Sequence, residues 1–479
     1  MASIAFPEPD PAILARREAI WADLARLVAP DALITSEDER RAFETDALAA
    51  YRQVPLAVVL PSSTEEAAAV MAYCNREGIK IVPRGAGTSL AGGAIPAPDS
   101  VVIGVSKMRR VLDVDYANRT ARVEAGITNL AISQEVAAEG FFYAPDPSSQ
   151  LACTIAGNIA MNSGGAHCLK YGVTTNNLMG VKLVLMDGTV VEIGGDHLDA
   201  AGYDLLGLLT GAEGQLGLVT EATVRILPMA EGARPLLIGF SSSETAGACV
   251  TAIIAAGIIP VALEFMDGPA IRICEDFAKA GYPTGAEAML IVEVEGSEEE
   301  IEDELAKIEA IARTFDPLAI RVSQSAAESA AIWKGRKSAF GAMGRIADYL
   351  CMDGTIPTGQ LSLVLRRIAE ICAENGLGVA NIFHAGDGNL HPLILYDVAK
   401  PGDLERAEKA GAEILKLCVD VGGCLTGEHG VGIEKRDLMT YQYNRADLEQ
   451  QMRARAVFDP RWLLNPAKVF PLDGRLTAQ

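Results

Sequence analysis

Nowhere in the 479 residues is there a Cys-x-x-Cys pair, and the nine cysteines (74, 153, 168, 249, 274, 351, 372, 418 and 424) are odd in number and scattered. That spacing excludes a disulfide framework, a zinc ribbon and an iron–sulfur site carried by this chain; most of the cysteines read as small buried hydrophobes. A long apolar run is missing too, and Met1 to Asp10 has no basic stretch leading into an apolar core. Neither a transmembrane helix nor a secretory signal is therefore expected, and the location reads as cytoplasmic. Cations are in short supply, 41 Lys and Arg against 63 Asp and Glu, for a net charge of −22. Nucleic acid and anionic membranes would be repelled, so any anionic substrate has to be met by a local cluster of cations. What is present, 49% hydrophobic and 22% charged residues, is the composition of a soluble globular chain long enough for two or three domains.

Residues 1–50 read as a helical segment, with Ala, Arg and Glu mixed through Pro11 to Leu27. From Leu56 the pattern becomes α/β: an apolar run to Leu60, a helix capped by Ser62/Ser63 and running to Glu77, then a strand from Lys80 to Val82. Val101 to Val105 and Val111 to Val114 are expected strands, and Val181 to Ile193 a hairpin turning on Asp187-Gly188. A boundary is expected near Pro228 to Pro235. Beyond it, strands at Leu236–Phe240, Val261–Phe265 and Ala288–Glu295 alternate with helices at Ser243–Ala256 and Ser297–Thr314, the rhythm of an antiparallel sheet with helices on one face. The last segment, 446–479, is too short for a domain and is expected to pack back on the first one. The implied division is 1–50, 51–230, 231–445 and 446–479.

Two small-residue stretches fall in the α/β part. Pro83-Arg84-Gly85-Ala86-Gly87-Thr88-Ser89-Leu90-Ala91-Gly92-Gly93 follows an expected strand, and its backbone amides can form an anion-binding nest for a diphosphate. It departs from the usual dinucleotide fingerprint, having Leu90 where a third glycine belongs, and no lysine follows to make it a P-loop. The second stretch runs from Thr154 through Gly157, Asn158 and Asn162 to Gly164-Gly165; its small residues permit close backbone approach, and its Asn and Thr side chains can bond a polar ring edge. Either stretch alone is more often just a tight turn; two of them in one α/β part put ligand binding on an equal footing.

Three of the five histidines lie close together near the C-terminus, in Asn381-Ile-Phe-His384-Ala-Gly-Asp-Gly-Asn389-Leu-His391-Pro and Thr426-Gly-Glu428-His429-Gly. Two imidazoles and a carboxylate are a common ligand set for Zn²⁺, Mn²⁺ or Fe²⁺. On a helix, His384 and His391 would stand two turns apart, too far for one ion; the glycines between them instead read as strand, turn, strand. Glu428 and His429 are neighbours, so in extended chain they face opposite ways, and Glu428 is assigned as third metal ligand with His429 left as acid/base. The alternative, polar loop residues that hold turns, stays open from spacing alone.

The order of these motifs resembles a known family. The glycine loop from Pro83 to Gly93, Pro145-Asp-Pro-Ser148-Ser-Gln with Thr154 to Gly165, and Gly211-Ala-Glu213-Gly-Gln-Leu-Gly217-Leu-Val219-Thr are similar to the flavin domain of the vanillyl-alcohol oxidase and p-cresol methylhydroxylase superfamily. His-x6-His and Gly-Glu-His-Gly narrow the likeness to FAD-dependent 2-hydroxy acid dehydrogenases. Lys337-Ser-Ala-Phe-Gly-Ala-Met-Gly-Arg345-Ile and Tyr349-Leu-Cys351-Met-Asp-Gly-Thr-Ile-Pro357 look most like the flavin subunits of glycolate oxidases.

The resemblance implies an α+β fold: a two-lobed FAD-binding domain, an antiparallel-sheet substrate domain and the C-terminal return segment. By it, Pro83, Arg84, Gly85, Ala86, Gly87, Thr88, Ser89 and Gly92 hold the FAD diphosphate. Ser148, Thr154, Gly157, Asn158, Asn162, Gly164, Gly217 and Val219 line the isoalloxazine and its neighbours, and Pro145 is a further cofactor contact. Thr88 stands where some relatives carry a histidine that bonds flavin covalently, so the FAD is expected to be dissociable. Cys351 stands where relatives taking a dicarboxylate tend to carry a basic residue, which favours a small monocarboxylate, glycolate or D-lactate. Arg336 is the expected carboxylate clamp, Asn389 a donor to the carboxylate or to a metal ligand, and His429 the base that takes the hydroxyl proton. An iron–sulfur subunit and a second flavin subunit are the implied partners, with peripheral attachment to the inner membrane through them. A D-lactate dehydrogenase and, in another class, a metal-dependent hydrolase are the rival readings.

Overall fold

The computed structural model describes residues 4–197 and 202–472; positions 473–479 of the expected return segment lie outside them. The chain divides into two compact units. An N-terminal unit is built from residues 4–164, 172–229 and 428–472, and a central unit from Ala230–Gly427 together with Gly165–Tyr171.

In the N-terminal unit a four-stranded sheet runs in the order Leu33–Ile34, Ala57–Val59, Ser100–Gly104, Lys80–Arg84, the last three strands parallel. Its crossover helix, Thr64–Glu77, begins where Ser63 Oγ accepts the Glu66 N–H (3.3 Å) while Glu66 reaches back to the Ser62 N–H (2.7 Å). The helix stops at Gly78, whose φ of +73° only glycine adopts without strain. The C-terminal chain covers the exposed edge of this sheet. Ile81 donates to Leu463 O (2.8 Å) and Asn465 donates to Ile81 O (2.7 Å), so Leu464 lies as a parallel bridge beside Ile81. A second, five-stranded antiparallel sheet includes the hairpin Leu178–Val184/Val190–Gly194, turning at Asp187-Gly188 as the sequence predicts. Apolar side chains from both sheets and the covering helices form one core, among them Ile20, Val70, Ile81, Val101, Leu183 and Leu464.

The central unit is a seven-stranded antiparallel sheet in the order Ala319–Val322, Gly232–Phe240, Ala288–Gly296, Ala262–Asp267, Gly378–His384, Pro392–Tyr396, Asp348–Cys351. Within the span Pro228 to Pro235 the main segment of the central unit begins at Ala230, and the chain runs on into the strand Gly232–Phe240, which includes Pro235. Proline sits at the end of the ladder to Ala319–Val322, where its carbonyl still accepts the Ser323 N–H (3.0 Å). Serine caps open three of the helices: Ser242, Ser297 and Ser325 each accept a backbone N–H from three residues ahead.

Asp267 ends its strand and caps the helix Gly268–Ala278, accepting Ala270 N (3.0 Å) on one oxygen and Asn381 N and Nδ2 (2.7 and 2.8 Å) on the other. Burial pushes its carboxyl up to about 6, against the pull of those bonds. An acid with a raised folded pKa contributes stability that is fully present below its unfolded value near 3.8 and is lost as pH rises through about 6. Relative to Asp267→Asn, the wild type is expected to gain about 2 kcal/mol in unfolding free energy as pH is lowered from 7.5 to 4.5. Paired thermal melts check this, and a difference that does not move with pH would rule it out.

Candidate active site

The glycine-rich segments meet within the N-terminal unit. A Cβ on Gly85 would lie 2.4 Å from Thr154 Oγ1, so a side chain there would drive the two loops apart. Arg84, at the end of its strand, is buried and donates to Thr45 O (2.8 Å) over the ring of Phe43; Pro83 packs on Gly214. Ala86 is exposed, Thr88 half-buried, Ser89 Oγ accepts the Ala91 N–H (3.4 Å), and Gly92 turns at φ +76° against Ile433. Thr154 caps the helix Ile155–Met161 by accepting the Gly157 N–H (3.2 Å), and Asn162 ends it at φ +52°. Asn158 is buried beside Asn129, whose Nδ2 also donates to Pro145 O (3.0 Å); Ser148 is exposed. Gly217 leaves room for Leu183, with which Val219 pairs across the sheet.

Beneath these loops lies a group of buried charges. Burial pushes Lys468 down to about 7, while Asp46 and Glu213 beside it hold it up and the Arg455 and Arg436 cations lower it further. Asp46 accepts Leu48 N and Ala94 N (3.0 and 3.2 Å), and its burial lifts it to about 6. Glu213, φ +51°, accepts Val431 N (2.6 Å) and Gly432 N (2.8 Å). It thereby fixes the turn that follows His429. Glu428 accepts the Gly164 N–H (2.9 Å) on Oε2, and His429 Nε2 stands 3.9 Å from its other oxygen.

In the central unit the strand Gly378–His384 and the strand Pro392–Tyr396 pair as a hairpin, closed by a His384↔Asn389 bridge. Asp387 accepts the Asn389 N–H (3.0 Å), and Gly388 at φ +78° passes so near Ile356 O that a Cβ would lie 2.1 Å from it. The turn brings the buried rings of His384 and His391 edge to face with centroids 5.2 Å apart, as strand, turn, strand predicts. Asn389 is buried, and its Oδ1 has no hydrogen-bond partner among the described residues.

His384 sits directly across from Glu264 in the ladder, and its Nδ1 is 2.7 Å from Glu264 Oε1. Arg336 Nε and Nη2 both donate to Glu264 Oε2, at 2.8 and 2.6 Å. Burial raises the Glu264 carboxyl, but His384 and Arg336 outweigh it and hold the group below the ordinary carboxylate range. On the same sheet face Glu293 accepts Trp333 Nε1 (2.7 Å) and lies 3.3 Å from His167 Nε2. Asp353, wholly buried, is 3.5 Å from His391 Nε2 and accepts Thr426 Oγ1 and the Gly427 N–H (3.0 Å), anchoring the chain one residue before Glu428. Cys351 is buried at the end of its edge strand. Glu213, Glu264, Asp353 and His167 were not picked out from the sequence as site residues.

Residues 230–469 match the C-terminal domain of FAD-linked oxidases, and residues 55–194 match an FAD-binding domain. The chain belongs to the FAD-linked oxidases, and its cofactor is FAD. Within that family it is 48% identical over 440 residues to glycolate oxidase subunit GlcD of Escherichia coli (strain K12), covering 92% of this chain and 88% of that protein. It is 38% identical over 454 residues to the Bacillus subtilis (strain 168) GlcD, covering 94% and 97%. A D-lactate dehydrogenase of Archaeoglobus fulgidus is 33% identical over 438 residues, covering 90% and 95%. Among solved structures, 4-ethylphenol oxidase from Gulosibacter chungangensis (TM-score 0.82, 15% identity, 98% of this chain and 100% of that one) and p-cresol methylhydroxylase (TM-score 0.80, 15% identity, 97% and 98%) share the fold.

Proposed function

We propose that the chain oxidises glycolate to glyoxylate, as the flavin subunit of a glycolate oxidase. The observation that carries this reading is the 48% identity to GlcD over nine-tenths of the chain, against 33% or less for the D-lactate dehydrogenases. Buried Cys351, with no cation in its place, favours a monocarboxylate. FAD, when bound, accepts the α-hydrogen as hydride. A divalent ion, when bound, lowers the pKa of the substrate hydroxyl, as metals bring water from about 15.7 to roughly 7. His384, His391 and Glu428 are the residues that would hold it. The two buried imidazoles and the orphaned Asn389 Oδ1 fit such a group. His429 takes the hydroxyl proton. Arg336 meets the carboxylate with the guanidinium hydrogens that Glu264 leaves over. Iron–sulfur and second flavin subunits are the proposed partners, and peripheral membrane attachment would come through them.

The test is anaerobic bleaching of the flavin absorption by glycolate, D-lactate, L-lactate and D-2-hydroxyglutarate in one stopped-flow series. Fastest reduction by glycolate is expected; fastest reduction by D-lactate would replace the substrate while keeping the site. Because Thr88 cannot make a histidyl link, acid precipitation of the yellow protein is expected to leave all flavin in the supernatant.

A further inference from the structure

We propose that Glu264 is a positioning residue that locks His384 as a metal ligand through Nε2 and, with its other oxygen, sets the rotation of Arg336. Three observations carry this. Glu264 is fully buried in an apolar strand, where an unpaired carboxylate would be expelled. Its two oxygens are divided without overlap, Oε1 to His384 Nδ1 and Oε2 to both Nε and Nη2 of Arg336. Its partner His384 is the residue directly opposite in the strand ladder, so sheet register itself fixes the pair.

An ionised carboxylate only accepts hydrogen bonds, so a neutral His384 ring carries its proton on Nδ1 and presents the Nε2 lone pair on the side away from Glu264. A carboxylate on the far nitrogen also raises the basicity of the ligating one. The same group thus aligns the proposed metal ligand and the proposed carboxylate clamp from behind, touching neither substrate nor metal.

Glutamine is the informative replacement, because an amide has one acceptor and one donor end. With its oxygen toward Arg336 it offers N–H to His384 Nδ1 and forces the wrong tautomer; flipped, it faces the arginine donors with its own.

The inference rests on the metal reading above, and two measurements separate their failures. In the first, wild-type and Glu264→Gln holoenzyme are loaded with Zn²⁺ and titrated with a competing chelator while flavin absorption is followed. A tenfold to hundredfold loss of Zn²⁺ affinity at unchanged flavin content is expected, and equal affinity would overturn the proposal. The second is two-bond ¹H–¹⁵N correlation of ¹⁵N-histidine-labelled wild type, His384 being assigned with His384→Gln. A proton on Nδ1 is expected with or without Zn²⁺, and a bare Nδ1 would overturn the proposal even if Glu264→Gln does not fold. If the wild type binds no Zn²⁺ while Nδ1 is protonated, the metal reading has failed and the Glu264–His384 assignment stands.

Discussion

Alanine at His384 or His391 is expected to slow glycolate-dependent bleaching by about a thousandfold or more, roughly 4 kcal/mol of barrier, in protein that remains yellow and folded. The flavin survives because the glycine loops belong to the N-terminal unit, while both histidines belong to the central one. The loss is large on the proposed metal reading, in which a bound ion would lower the pKa of the alcohol and a single imidazole would leave its ligand set incomplete. Metal analysis beside stopped-flow reduction reads both halves of the expectation. Retained turnover in metal-free protein would remove the ion from the mechanism and leave His429 as an unaided base.

The second large effect is at Arg336. Arg336→Ala is expected to raise KM and lower kcat together, a roughly tenfold to hundredfold loss in kcat/KM, because a clamp both binds and aligns. It also strips a buried carboxylate of both arginine donors on its Oε2, and breaking such a pair costs about 3–5 kcal/mol of stability. Arg336→Lys separates the two roles. A lysine keeps a cation near Glu264 but loses the planar fork, so stability should recover more than KM does. Thermal melts and steady-state kinetics on both variants decide it; unaltered kinetics in Arg336→Ala would dismiss the clamp.

What the sequence displayed, it displayed locally. The hairpin that pairs His384 with Asn389 was legible because Gly386 and Gly388 sit between two strand-like runs. The helix from Ser63 to Glu77 was legible from its cap and its stop. Glu264 was passed over although it is the one charge within the apolar run Val261 to Phe265, because its partners lie 120 and 72 residues away. The signal was there: a carboxylate in the middle of a buried strand demands a counter-charge, and only the partner's identity needed the fold. Asp353 is the same case, tied to Thr426 and Gly427 across 73 and 74 residues. The docking of Gly165–Tyr171 into the central unit had no local mark, since His167 finds Glu293 only through sheet packing.

The Leu464 bridge beside Ile81 bears on synthesis. A nascent chain ending just past Gly427 already holds every residue of the central unit, yet the unit that began first still lacks its finishing strand. Until Asn465 emerges, Gly93 O and Glu213 O have no Nδ2 donor, and the Lys80–Arg84 edge stays open. Synthesis therefore makes this sheet long before the residues that cover its edge, and loss of residues 463–465 would strike the nucleotide-binding half, nearly four hundred positions away in sequence.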